Sequence, residues 1–221
     1  MVTVRVTMLC MTGADGSDGP VFGDGALNDC GRWDVDARVT ETLLPAYSLA
    51  LRAPSTPCAR AAEALAITAR PESALRDLDY GSWYGRRHED VVAEDPLGFS
   101  AWLTDPDAAP HGGESVAGLC RRTAGWLSSL PTGTGRILAI TEAAVVRAAL
   151  VHALSAPARA FWHLGVPPLS AVTLTLRDGC WNARPGRMAI PHQQQPADHS
   201  TSVAAPATRA SGRYPALLVR P

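Results

Sequence analysis

The stretch from Gly135 to Leu150, GRILAITEAAVVRAAL, constrains the fold more than any other part of the chain. Arg136 to Ile140 is a short apolar run of the kind that forms a buried strand, and the alanine-rich half that follows is a helix former. Thr141-Glu142 sits at the switch between the two. Side chains at such a point lie at the carboxyl edge of a parallel sheet, beside a helix N-terminus, where open α/β folds place their ligands. Glu142 is therefore a candidate site carboxylate.

The 221 residues and 46% hydrophobic content suit one domain, read here as residues 1–184, followed by a tail over 185–221. The tail is rich in Pro, Ala, Ser and Gln, lacks apolar periodicity, and is expected to be disordered. A net charge of -1 without basic blocks argues against nucleic acid and anionic membranes as partners. All 20 basic residues are arginines, which removes Schiff-base and P-loop lysine chemistry. The five cysteines, Cys10, Cys30, Cys58, Cys120 and Cys180, are scattered without a CxxC pair, as expected of free thiols in a cytoplasmic protein. Met1 to Cys10 alternates apolar and polar residues and lacks a signal-peptide core, and no run is long enough to span a membrane.

Along the chain, Val2 to Cys10 reads as a first strand and the Gly/Asp-rich stretch Ala14 to Gly31 as a loop able to wall a pocket. A poor helical pattern spans Thr40 to Ala50, and Leu49 to Pro54 reads as a second strand. The composition predicts a helix from Cys58 to Ala69, ended by Pro71. Leu75 to Gly85 is a strand or turn with paired glycines, and His88 to Asp95 and Pro96 to Leu103 are helical pieces. An extended loop over 105–113 precedes a helix opened by Glu114-Ser115 and running to Leu130. Beyond the central strand and helix come a short helix from Ala156 to Trp162, a strand from Ser170 to Leu176, a turn at Asp178-Gly179, and Cys180 to Ala183 as the returning strand.

The segments LRDLDYGSWYG, DPDAAPHGGES, TEAAVVRAAL, VPPLSAVTLTL and DGCWN, in this order behind a first strand and loop, resemble the histidine phosphatase superfamily with its phosphoglycerate-mutase-like fold. The resemblance runs from Val2 to Arg184 and implies a three-layer α/β/α sandwich with a mostly parallel sheet and a pocket at the carboxyl ends of the strands. It also implies which residues have been exchanged. The family's Arg-His-Gly after the first strand falls on Met11-Thr12-Gly13, so Thr12 stands for the phosphorylated histidine. The second phosphate-binding arginine, which follows a Ser-Pro turn, falls near Pro57 in Ala53-Pro54-Ser55-Thr56-Pro57. Glu142 stands for the second histidine, and Asp77 for the proton-donating acid, with Asp79 as the alternative match.

Phosphohistidine chemistry needs an imidazole nucleophile and cations around the phosphate oxygens. A phosphate dianion at about 5 Å from two carboxylates meets several kcal/mol of repulsion in an effective dielectric near 20, and this reading finds no arginine to offset it. The chain is accordingly expected to lack phosphatase and mutase activity. Two functions follow. One is acid/base catalysis of the isomerase, dehydratase or cyclase type on a non-phosphorylated small molecule in bacterial specialised metabolism, with Glu142, Asp77 and Thr12 as catalytic residues. The other is a non-catalytic pseudophosphatase binding a small ligand or a partner protein. His111, Tyr84 and Ser115 are candidate substrate-binding residues in either case, although His111 also suits an exposed loop, Tyr84 a packing role and Ser115 a helix start. Arg147, one turn beyond Glu142, is expected to pair with a carboxylate. No metal or organic cofactor is implied, though Asp77, Glu142 and His111 are chemically able to hold a cation. A homodimer is compatible with all of this.

Overall fold

The computed structural model describes residues 4–10, 21–23, 46–131, 133–167 and 170–187. Within these residues one six-stranded sheet is formed by β1 (Val4–Cys10), β2 (Leu49–Arg52), β3 (Arg70–Pro71), β4 (Arg136–Thr141), β5 (Ser170–Arg177) and β6 (Cys180–Arg187), in the order β3-β2-β4-β1-β5-β6. β3, β2, β4 and β1 run parallel to one another, β5 pairs antiparallel with β1, and β6 antiparallel with β5. The helices are α1 (Thr56–Ala64), α2 (His88–Glu94), α3 (Pro96–Thr104), α4 (Val116–Ser129) and α5 (Ala143–Ala153).

The sheet is the middle layer of a three-layer α/β/α sandwich. Met8, Leu9 and Cys10 on β1 and Ile137 to Thr141 on β4 are buried consecutively, so both faces of these strands are covered, as a parallel sheet requires. β5 instead buries Ser170, Val172 and Leu174 while Ala171, Thr173 and Thr175 stay half-buried, the alternation of an antiparallel strand with one polar face. Its hairpin to β6 turns on Asp178 and Gly179, with φ of 50° and 78°, the left-handed pair that a two-residue hairpin uses.

Several boundaries differ from the sequence expectation. α1 is shifted towards the N-terminus because Ser55 caps it, accepting from the Cys58 N–H at 3.4 Å. It ends well before Pro71 because Ala66 enters the left-handed region at φ 52°, and Ile67 and Ala66 donate back to the carbonyls of Ala62 and Glu63. Leu75 to Gly85 is neither strand nor simple turn; it holds two short 3-10 segments, Ser73–Leu75 and Gly81–Trp83. Ala156 to Trp162 is a 3-10 segment at Ala158–His163. β6 continues to Arg187, three residues past the boundary that composition suggested, and residues 188–221 lie outside the described residues. The helical pattern from Thr40 lies outside them too, up to residue 45.

The Gly/Asp-rich loop contributes to the core. Val21 bridges to Arg87, the Phe22 N–H donates to the Arg86 carbonyl at 3.0 Å, and Gly85 donates to the Phe22 carbonyl at 2.9 Å. The Phe22 ring is thereby buried against Tyr80, Trp83, His88 and Trp102. This aromatic cluster forms one side of the region in which the candidate site residues gather.

Candidate functional site at the carboxyl edge of the sheet

Glu142 follows β4 directly and is the N-cap residue of α5, with extended backbone. Its carboxylate neither caps that helix nor meets solvent: the residue is 2% exposed and makes no side-chain bond to its own helix N-terminus. The side chain turns instead to the start of α1, where Ser55 donates its hydroxyl to Oε1 and the Cys58 thiol lies 3.3 Å from the same oxygen. The Thr141 hydroxyl lies 3.3 Å from Oε2, and is also 2.9 Å from the Leu75 carbonyl, to which it donates. Oε1 therefore faces two donors supplied by the protein, and Oε2 lies beside the Thr141 hydroxyl. The N-terminal ends of α1 and α5 both adjoin this side chain.

Asp77 approaches from the other side of the site. Its backbone is fixed by Arg122, whose guanidinium donates to the carbonyls of Ala74, Arg76 and Asp77 at 2.7, 2.9 and 3.2 Å. The same guanidinium grips Glu114 with Nε–Oε1 at 3.0 Å and Nη2–Oε2 at 2.6 Å, a forked pair that is mostly buried. Glu114 is thus a structural partner in the α4 start rather than a ligand contact.

Tyr80 feels the charge of both acids. Burial pushes its phenol well above the ordinary range, the Asp77 carboxylate pushes it further, Arg147 opposes the shift, and Glu142 adds to it. The hydroxyl is consequently a neutral donor at ordinary pH, placed in the combined field of Asp77, Glu142 and Arg147. Sequence reasoning missed Tyr80, though it lies three residues after Asp77 in the same motif. It also missed Ser55, Cys58 and Thr141, for which the cap position before α1 was the available signal.

Arg147 reaches this region: its Nε–H donates to the Leu164 carbonyl at 3.0 Å and its guanidinium lies 5.6 Å from the centre of the Phe161 ring, while its charge acts on Tyr80 together with those of Asp77 and Glu142. The turn before α1 also leads to an arginine, Arg60, three residues after Pro57, and it is exposed. Arg147 thus brings positive charge to a region that also holds hydroxyls, a thiol and the Glu142 carboxylate.

The remaining candidates separate. His111 is buried at 2% exposure, not loop-exposed; its Nδ1 accepts from the Gly113 N–H at 3.0 Å, and its ring packs against Trp83 and Tyr80. Burial lowers its pKa, against the opposing charge of Asp79, so the ring is neutral with the proton on Nε2. Ser115 is occupied as the N-cap of α4, accepting from Gly118 at 3.1 Å, and is not presented to a ligand. Tyr84 is 56% exposed and lies beside Gly23. Thr12 lies outside the described residues. Asp77, Glu142 and His111 do not converge as a cation site: no group of three metal-ligating side chains occurs among the described residues. No helix among them is long and apolar enough to cross a membrane.

This architecture has close counterparts. Alpha-ribazole phosphatase from Shigella flexneri superposes with a TM-score of 0.69 at 20% identity, covering 87% of this chain and all of that one, and a mycobacterial glucosyl-3-phosphoglycerate phosphatase superposes at 0.62 with 22% identity, covering 83% and 97%. In sequence, the adenosylcobalamin/alpha-ribazole phosphatase of Salmonella typhimurium is 29% identical over 112 residues, 49% of this chain and 50% of that protein. Glucosyl-3-phosphoglycerate phosphatase of Mycobacterium tuberculosis is 34% identical over 61 residues, 28% of this chain and 27% of its own length. The aligned part thus spans about half or less of these relatives. The family model for the histidine phosphatase superfamily (branch 1) matches residues 26–185, well over half of the chain. With the sheet order, the strand-edge site and this match in agreement, the chain belongs to the histidine phosphatase superfamily.

Proposed function

We propose that this protein no longer transfers phosphoryl groups and that its pocket binds a non-phosphorylated small molecule, as a pseudophosphatase. The observation that supports this reading is the setting of Glu142. Where an anion would be drawn to the helix N-termini, the chain supplies its own carboxylate, engaged by Ser55, Cys58 and Thr141. A phosphate dianion would lie against that charge at a cost of several kcal/mol at about 5 Å. The relatives named above are phosphatases; the departure from them lies in the site residues and not in the fold.

A second reading is favoured by one observation: Asp77 and Glu142 both act on the Tyr80 phenol. Two carboxylates and a neutral phenol in one site are suited to removing and returning a proton, as in an isomerase, dehydratase or cyclase of bacterial specialised metabolism. The pair Glu142→Gln and Asp77→Asn, placed in the native host, separates the readings. Loss of the pathway product with folded protein retained supports acid/base catalysis by these groups. Product at the wild-type level leaves the binding role.

A further inference from the structure

The face of the sheet opposite α5 carries a polar cavity, at the far end of the strands from Glu142. Register pairing sets Arg5, Thr175 and Asn182 in one row across β1, β5 and β6, and Thr7, Thr173 and Arg184 in the next. Arg177 continues the same face of β5. Arg5, Thr173, Thr175, Arg177, Asn182 and Arg184 line a cavity of about 580 Å³, within the usual size of small-molecule sites. Arg5 and Cys10 stand at the two ends of β1, so this cavity is roughly 15 Å from the strand edge that bears Glu142.

The composition of the lining defines what fits. Three guanidiniums share the cavity, and none of them takes part in an ion pair among the described residues. Three like charges gathered on one face of a chain of net charge -1 form a local positive field that attracts an anion. Threonine hydroxyls and the Asn182 amide add uncharged donors, and the lining holds no aromatic side chain on which a nucleobase would stack. The residues from 188 onward hold Arg209, Arg213 and Arg220 against the single acid Asp198, so that segment does not complement the charge.

We propose that this cavity binds a compact polyanion, with two or more phosphoryl or carboxylate groups, through bidentate contacts from Arg5, Arg177 and Arg184. The site is independent of the pocket at Glu142. Titration of the full-length protein with tripolyphosphate and with citrate, followed by calorimetry at low and at physiological salt, tests it and distinguishes the two anion chemistries. Saturable one-to-one binding is expected, weakening with salt, and falling about tenfold for each arginine removed. Arg177 and Arg184 are exposed, so R177S and R184S keep the fold and need not be combined with a change at Arg5, while R121S serves as the control that keeps wild-type affinity. Absence of saturable binding of either anion overturns the proposal. So does affinity that is unchanged in R177S/R184S, or binding that is abolished by Glu142→Gln in place of the arginine changes.

Discussion

Replacing Arg122 by alanine is expected to lower stability by about 3 to 5 kcal/mol, the range found when one partner of a buried ion pair is removed. Arg122 and Glu114 side chains are 13% and 14% exposed, so truncation strands a carboxylate in a largely dry setting. Arg76, at 3.5 Å from Glu114 and itself half in solvent, offsets only part of that charge. The same change also releases the carbonyls of Ala74, Arg76 and Asp77, which then lose their donors together. Thermal unfolding should therefore shift down by on the order of 10 °C. A double variant, Arg122→Met with Glu114→Gln, removes the stranded charge and is expected to recover part of the loss. Equal destabilisation in single and double variants would show that the carbonyl contacts, and not the ion pair, carry the effect. Because Asp77 hangs from this clamp, the single variant should disturb the candidate site as well as the fold.

Gly81→Ala is the second large effect. Gly81 has φ of 45°, in the left-handed region, and a Cβ there would lie 2.1 Å from the His111 carbonyl oxygen. Backbone cannot swing aside as a flexible side chain does, so the turn at residues 79–83 must separate from the loop at 111–114. That contact includes the Ser82 N–H donating to His111 at 2.9 Å and the Glu114 N–H donating to Asp79 at 2.8 Å. A loss of more than about 3 kcal/mol is expected, combining left-handed strain with the clash. Gly112→Ala provides the comparison: it has φ of 74° but open space around the added carbon, and should cost only about 1 kcal/mol. Chemical denaturation of both variants reads the difference directly, and similar losses for the two would contradict the clash as the cause.

These two positions also explain which parts of the molecule are readable in the chain. β1, β4, α5 and the β5–β6 hairpin carry their own periodicity and turn residues, and they form close to where those signals lie. GSW and PHGGES resemble family motifs, and the structure gives the physical reason they occur together: each is the other's backbone partner. What was not readable depends on contacts distant in sequence. Ser55 and Cys58 reach Glu142 across 87 and 84 residues, and no local pattern marks a serine and a thiol as donors to one carboxylate. Phe22 looked like part of a polar loop because its glycine and aspartate neighbours dominate the stretch, yet its ring is buried by partners from α2, α3 and the Tyr80–Trp83 turn. Likewise, no local pattern shows that Arg147 packs over the Phe161 ring and donates to the Leu164 carbonyl.

The most direct test of the central claim is phosphate release by the purified full-length protein from p-nitrophenyl phosphate and a panel of phosphorylated sugars and amino acids. With Glu142 filling the anion position, release is expected to stay at the background rate for every substrate. Turnover in the ordinary enzymatic range, about 1 per second or faster on any of them, would contradict the account.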